Sequence, residues 1–451
     1  MFKHCKTMKN NRKKVYIETL GCQMNKSDSE KILGILETLN YYQTSNHKEA
    51  DLLIINTCTI RASAEDKAFS YLGVWGKMKK TKPDIKIAIC GCVAQQRKEE
   101  ILKRAPYVDI IFGTHNIDEL PELIKKQESK HTSQCSILKT PYQGTRKDFT
   151  AVRDNTITAW VNIIEGCDYF CTYCVVPYVR GRQRSRPFDE IVQEVEKLAN
   201  QGYKEVTLLG QTVDSYGNDI NDNNVNLPAL LKRLNKISNL YRIRFVTSHP
   251  KDITDDLIDT VAELDKVCEY FHIPMQSGNT EILKKMKRGY TSEEYYTLVN
   301  KIKNKINDVA ITSDFIVAFP GETEEQFYDT VKAINDLGFD QCNTAMYSPR
   351  KQTPAATWKD KQLPVSIKKE RINILNSHVK EAALKASLKY QNTIQEVLVE
   401  SYTKKENGFI LNGRTRNNKL THFKGEKELT GQTVKIFVEE ASPWSLKGRL
   451  I

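Results

Sequence analysis

Two long stretches of the chain alternate short apolar runs with helical periodicity. This constrains the fold more than any other feature, because strands separated by covering helices pair in parallel. In residues 14–127 the runs VYIETLG, DLLIINT, IKIAIC and VDIIFG read as buried strands. SDSEKILGILETL repeats Ile32, Leu36 and Leu39 at helical spacing, and RKEEILKR reads as a further helix. This predicts an α/β domain of flavodoxin or Rossmann type, with ligands at the carboxyl edge of its sheet. Residues 128–150 are polar and aperiodic and read as a linker. A second series, expected over 151–386, starts at ITAWVNIIEGC and continues with EVTLLGQ, RIRFVTS, EYFHIPMQ, ITSDFIVAFPG and QCNTAMYS. DEIVQEVEKLANQG, with Ile191, Val195 and Leu198 on one face, is its clearest helix. Six strands fall two short of a closed eightfold barrel, so a partial (β/α)6 barrel is expected. Residues 364–390 read as a helical connector. Residues 389–451 change to alternating strands (IQEVLVESY, FILNGRTR, LTHF, GQTVKIFVEE), which suggests a small β-barrel of OB type.

A length of 451 residues suits several domains, and 39% hydrophobic with 27% charged residues suits a globular protein. No apolar run reaches the roughly 18 residues of a membrane span. The basic start, MFKHCKTMKNNRKK, lacks the apolar core of a secretory signal, so a cytoplasmic protein without a membrane is expected. The formal charge of +12 suits a polyanionic partner such as nucleic acid, or equally a lysine-rich solubilising surface. Eleven cysteines in a long chain of this kind point to metal binding or catalysis rather than to disulfides.

Cys167, Cys171 and Cys174 follow the first strand of the second series with C-x3-C-x2-C spacing, and no fourth cysteine lies nearby. A structural zinc site would supply a second knuckle. Three thiolates on a four-iron cluster instead leave one iron open to an outside ligand. In the first domain Cys22, Cys58 and Cys92 each sit just past the end of an expected parallel strand. They could meet at one cluster on the carboxyl edge, or be three small buried hydrophobes.

C-x3-C-x2-C at the first strand of a six-unit barrel resembles the signature of radical S-adenosylmethionine enzymes. The resemblance implies a [4Fe-4S] cluster on Cys167, Cys171 and Cys174, whose open iron chelates S-adenosyl-L-methionine and cleaves it to a 5′-deoxyadenosyl radical. TLGCQMNKSDSE, INTCTIRASAEDK and CGCVAQQ are similar to the three cysteine segments of the methylthiotransferases. That family combines a cluster domain, a radical domain and a C-terminal TRAM domain. It implies a second three-cysteine [4Fe-4S] cluster on Cys22, Cys58 and Cys92, holding the sulfur to be transferred. Cys90 is expected to point into the sheet, while Cys5, Cys135, Cys268 and Cys342 match no ligand position. CTYCVVPYVRGRQRSRP most resembles the branch acting on tRNA N6-isopentenyladenosine beside the anticodon. Thr212 and Gln352 stand where that branch usually has asparagine and glycine. The sister branches act on threonylcarbamoyladenosine or on a ribosomal-protein aspartate. A rival of another class is a non-catalytic iron–sulfur protein that binds RNA and senses redox state.

The same resemblance implies tRNA, a sulfur donor and an electron donor such as flavodoxin or ferredoxin as partners of a monomeric enzyme. Tyr173 is a candidate to pack on the cofactor's adenine, or is a core aromatic. Gln211, Ser248, Gln276 and Asp314 lie at the expected barrel rim, where polar groups bind ligands or cap turns. Gly321 in FPGET offers a close backbone approach to the cofactor, or a turn. Arg180, Arg182, Arg184 and Arg186 follow the cluster loop and suit RNA, as a solvated charged loop also would. In the small barrel Arg414, Arg416 and Lys419 are candidates to grip the tRNA backbone.

Overall fold

The computed structural model describes residues 12–59, 62–98, 100–137, 151–153, 155–406 and 408–451. The chain divides into two compact units. One is the first domain together with Val175–Arg182, and the other is Asn155–Cys174 with Gln183–Ile451.

The first unit is built on six parallel strands: β1 (Lys13–Thr19), β2 (Tyr41–Gln43), β3 (Leu52–Thr57), β4 (Lys86–Gly91), β5 (Ile110–Phe112) and β6 (Gln134–Ser136). Their spatial order is β2-β1-β3-β4-β5-β6. Every residue of β3, LLIINT, is buried, as expected for a central parallel strand covered on both faces. Ile32 and Leu36 of helix Gln23–Thr38 and Leu120 and Ile124 of helix Leu120–Lys130 cover one face. Leu72 and Trp75 of helix Ala62–Thr81 cover the other. Cys90 is buried within the first of these cores, as expected. The expected linker begins later than the sequence suggests. Residues 128–130 end a helix, and β6 pairs with β5 through three residues too short and polar to show periodicity. Residues 138–150 lie outside the described residues.

The second unit opens with β7 (Thr158–Asn162), followed by the two-residue pair β8 (Ile164–Glu165) and β9 (Arg184–Ser185). The remaining barrel strands are β10 (Glu205–Leu209), β11 (Arg242–Phe245), β12 (Tyr270–His272), β13 (Ala310–Val317) and β14 (Gln341–Met346). β7, β10 and β11 pair in parallel, as do β12, β13 and β14, and a parallel bridge from Ile243 to Val267 links the two sheets. The six strands thus follow chain order as a partial barrel. Its helices carry strong stop and start signals. Thr291 with Glu294 and Thr323 with Gln326 form reciprocal capping boxes. Gly338 ends helix Glu324–Leu337 in the left-handed conformation.

Helix Val365–Leu388 leads into a closed barrel of β15 (Ile394–Lys405), β16 (Gly408–Thr415), β17 (Leu420–Lys424), β18 (Thr433–Ala441) and β19 (Ser445–Leu450). Four of these are the expected strands. β19 is an addition that the preceding Pro443–Trp444 and its own Gly448 disguise as a turn. The small barrel packs on the amino-terminal ends of β10 to β14. Arg244, buried beside Glu205 at 2.9 Å, donates to the carbonyls of Thr415 and Arg416. Arg242 donates to the Arg414 carbonyl and to Glu396.

Candidate active site

In the first unit β1, β3 and β4 are neighbours, and each runs directly into one cysteine of the first trio. Gly21 and Gly91, just before Cys22 and Cys92, have φ of +138° and +85°. A side chain at Gly21 would lie 2.7 Å from the Cβ of Cys58, and one at Gly91 would strike the backbone of Thr57. Only glycine lets the three turns approach so closely. A buried amide network fixes them. Asn25 Nδ2 donates to Asn56 Oδ1 (3.1 Å) and to the Thr57 carbonyl (3.0 Å), and Asn56 Nδ2 donates back to the Asn25 carbonyl (2.8 Å). The Cys22 thiol donates to Asn25 Oδ1 at 3.4 Å.

Burial pushes the Cys92 thiol up to about 12. The Arg180 guanidinium pulls against this, and the Cys58 and Cys22 thiols reinforce it. Three thiols within one another's field suppress each other's ionisation, and a bound cation reverses that balance. The chemistry of the first trio therefore fits a metal cluster. Among the described residues no set of His, Cys, Asp or Glu side chains stands already assembled at metal-ligand spacing.

Val175–Arg182 also belongs to this unit. Val175 and Val179 pack on Cys92, and Thr114 Oγ1 donates to the Val179 carbonyl at 2.7 Å. Arg180 Nη2 meets Asp28 Oδ2 at 2.7 Å, with side-chain exposures of only 5% and 2%.

In the second unit Gly166, before Cys167, again has a positive φ of +78°, so all three Gly-Cys pairs of the chain share this turn. Gly166 N donates to Gln211 Oε1 at 2.6 Å, which ties the cysteine loop to the end of β10. Thr172 N and Oγ1 donate to the carbonyls of Met286 and Lys285. Arg288, buried, donates from Nη1 to Cys171 Sγ (3.4 Å), from Nη2 to the Pro274 carbonyl and from Nε to Tyr290 Oη. Burial raises the Cys167 thiol to about 11, with a backbone hydrogen bond and Arg288 opposing and the Cys171 thiol adding to the rise. This trio, too, has the donor set and electrostatics of a metal site.

Tyr173 meets Phe319 edge-to-face, with ring centroids 6.5 Å apart. Ser248 is buried just past the end of β11, and among the described residues its Oγ has no hydrogen-bond partner. Gln276 takes φ +75°, and its backbone brackets β13 through Asp314 and Ile316. Asp314 lies on β13 between Asn343 Nδ2 (2.9 Å) and His272 Nε2 (3.3 Å). Gly321, at φ +74°, donates to the Lys361 carbonyl.

Several basic candidates have other work in this fold. Arg180 is buried on Asp28 rather than on a solvated loop. Arg184 pairs with Glu165, and Arg186 with Glu194, while Arg182 is exposed. Arg416 holds Glu269 through Nε and Nη2 and also reaches the carbonyls of Asp265 and Val267. Lys419, 7% exposed, pairs with Asp340 at 3.2 Å. Arg414 reaches Glu400 at 3.6 Å and the Asn418 carbonyl. Arg416 and Lys419 are consumed in docking the small barrel, because the acidic groups that begin the barrel strands need cations there.

The sequence gives no sign of a second group, centred on Tyr169. Its ring stacks on His249 with centroids 3.6 Å apart, and its hydroxyl donates to Asp252 Oδ1 at 2.5 Å. The His249 amide donates to Asp214 Oδ2 at 2.7 Å. Burial raises the Asp214 carboxyl well above the usual range, and the Asp252 charge adds to this.

Residues 14–113 match the family described as Uncharacterized protein family UPF0004, residues 161–334 the Radical SAM superfamily, and residues 388–451 the TRAM domain. Among solved structures the chain is similar to the radical S-adenosylmethionine methyltransferase TsrM of Kitasatospora setae, with a TM-score of 0.54 and 15% identity. The likeness covers 76% of this chain and 77% of that one, and it bears on the fold alone. Over 442 residues the chain is 47% identical to the tRNA-2-methylthio-N(6)-dimethylallyladenosine synthase of Geobacillus kaustophilus (97% of this chain, 82% of the relative). It is 44% identical over 449 residues to the enzyme of the same name from Clostridium perfringens, covering 99% of this chain and all of the relative. With cysteine trios on two parallel-strand edges and this similarity along almost its whole length, the chain belongs to the radical S-adenosylmethionine methylthiotransferase family of the tRNA-2-methylthio-N(6)-dimethylallyladenosine synthases.

Proposed function

We propose that the chain converts N6-dimethylallyl (isopentenyl) adenosine beside the tRNA anticodon to its 2-methylthio derivative. The observation that carries this reading is the 44–47% identity over nearly the whole chain to synthases of that name. Cys22, Cys58 and Cys92 would hold one [4Fe-4S] cluster, and Cys167, Cys171 and Cys174 a second. When bound with S-adenosyl-L-methionine, such clusters supply the radical and sulfur chemistry that an adenine C2–H, which has no acidic proton, otherwise resists.

The chain's own residues hold and shield. Arg288 sets a buried cation against Cys171 and ties its loop to Pro274. Gln211 orients the Gly166 turn, and the stacking of Tyr169 on His249 ties the loop to the segment just past the end of β11. Tyr173, Ser248, Gln276, Asp314 and Gly321 form the cofactor-facing rim of the reading. The unpartnered hydroxyl of Ser248 supports this, since a buried donor wants a ligand. For tRNA, the exposed Arg182, Lys404, Lys405, Lys424 and Lys435 replace the buried cations as candidates for phosphate contact. The enzyme works as a cytoplasmic monomer with a flavodoxin- or ferredoxin-like electron donor and a separate sulfur donor. No described helix is long and apolar enough to cross a membrane.

The test is anaerobic reconstitution and turnover on tRNA carrying the dimethylallyl group. The expected result is about eight irons per chain, with 5′-deoxyadenosine and 2-methylthio nucleoside formed together. Zinc in place of iron would overturn the reading, as would cofactor cleavage that leaves this tRNA unchanged while threonylcarbamoyl tRNA reacts.

A further inference from the structure

Among the described residues of the first unit, Arg180 is the one buried arginine with a given ion-pair partner, Asp28, and it directly follows Val179, which packs on Cys92. Both partners are almost wholly shielded from water. Removing two charges from solvent is costly, and replacing such a pair with apolar residues is often neutral or stabilising. The pair is therefore weakly explained by stability. Its place is more telling. Arg180 directly follows the helical turn Val176–Val179, whose Val179 packs on Cys92 together with Val175. Thr114 fixes the same turn through the Val179 carbonyl. Asp28 rises from helix Gln23–Thr38, which starts at Cys22. The guanidinium and carboxylate thus come from two segments, one packed on Cys92 and the other starting at Cys22.

The pair therefore spans the segment packed on Cys92 and the helix that starts at Cys22. An iron–sulfur cluster's potential responds to nearby charge and to burial, and a fixed cation favours the reduced, more negative state. With no water to screen it, a single charge here acts strongly.

Resting on the reading that Cys22, Cys58 and Cys92 hold a cluster, we infer that Arg180 is a potential-setting residue for that cluster, with Asp28 as its counterweight. Arg180 raises the cluster's reduction potential and Asp28 moderates the rise. The inference moves Arg180 from RNA contact to control of the redox state of the sulfur-bearing site. It also gives a reason for the segment after Cys174 to be embedded among the first domain's cysteines.

The experiment uses the full chain with Cys167, Cys171 and Cys174 replaced by Ala, so that one cluster remains, reconstituted anaerobically and titrated by electron paramagnetic resonance. Arg180→Gln is expected to lower the reduced-to-oxidised ratio at fixed potential about tenfold, which for a one-electron couple corresponds to about 59 mV. Arg180→Lys should stay near the parent, and Asp28→Asn should shift the ratio the other way. Because Arg180→Gln strands a buried carboxylate, the pair variant Arg180→Gln with Asp28→Asn serves where the single one fails to fold. It should fall between the parent and the single variant, or below the parent if measured alone. About four irons per chain with ratios indifferent to these substitutions, or an Asp28→Asn shift of the same sign as Arg180→Gln, would overturn the inference alone. Absence of iron from the parent would overturn the first-cluster assignment, and the inference with it.

Discussion

Arg288 Nη1 stands 3.4 Å from the sulfur of Cys171, a residue 117 positions away in sequence, and both are buried. The same guanidinium reaches the Pro274 carbonyl and the Tyr290 hydroxyl, each at 2.9 Å. One planar fork therefore satisfies three acceptors and delivers a cation to the Cys171 thiol.

Arg288→Lys keeps the charge but cannot reproduce the fork. Loss of an outer-shell partner of a metal ligand commonly costs 10- to 100-fold. The rate of 5′-deoxyadenosine formation should fall by about that factor, with less iron retained at the second trio. An unchanged rate would reduce the contact to packing.

The two trios should separate by substitution. Cys171→Ala should abolish S-adenosyl-L-methionine cleavage, because under the proposed assignment it removes a ligand of the radical site. Cys58→Ala should leave cleavage measurable and block methylthio formation. Chromatography of 5′-deoxyadenosine and of the digested tRNA gives both readouts at once, and identical behaviour of the two variants would refute the division.

Salt titration distinguishes the docking cations from those facing solvent. Each phosphate contact adds about 0.9 to the slope of log K against log salt. Lys404→Ala with Lys405→Ala should reduce that slope, since both side chains are exposed. Lys419→Met should leave it unchanged and instead destabilise the fold by about 3–5 kcal/mol, because Asp340 is left buried and unpaired. A lower slope for Lys419→Met would return it to the RNA surface.

These cations mark where sequence reading runs out. Cys22, Cys58, Cys92 and Cys167 stand out in the sequence because strand ends are visible as apolar runs closed by Gly-Cys or Thr-Cys, while Cys171 and Cys174 stand out by their C-x3-C-x2-C spacing from Cys167. Arg416 and Lys419 look like any basic loop, and only the fold shows that Glu269 and Asp340 face them. Arg180 misleads in the same way, since its partner Asp28 is 152 residues away. Arg288 sits in KKMKRGY, a charge run with no local trace of Cys171. The pairing of charges across a fold leaves no periodicity to read. β6 and β19 escape for another reason: one is only three residues long and the other is interrupted by glycine.

His249 provides a pH test. Burial, with Arg288 and Lys251 adding to it, lowers its pKa from 6.5 to about 2, and among the described residues its Nε2 has no hydrogen-bond partner. The folded chain therefore keeps the ring neutral, while the unfolded chain takes up a proton below 6.5. Stability is complete above that value and is lost as pH falls through it toward 2. Between about pH 7.5 and 5.5 this one group should remove about 1.4 kcal/mol. His249→Phe retains a ring to stack on Tyr169 and removes the titration. The thermal midpoint of the parent should therefore drop relative to that variant as the medium is acidified over this range. Parallel curves for the two proteins would mean that the ring is protonated in the folded state, or reaches solvent.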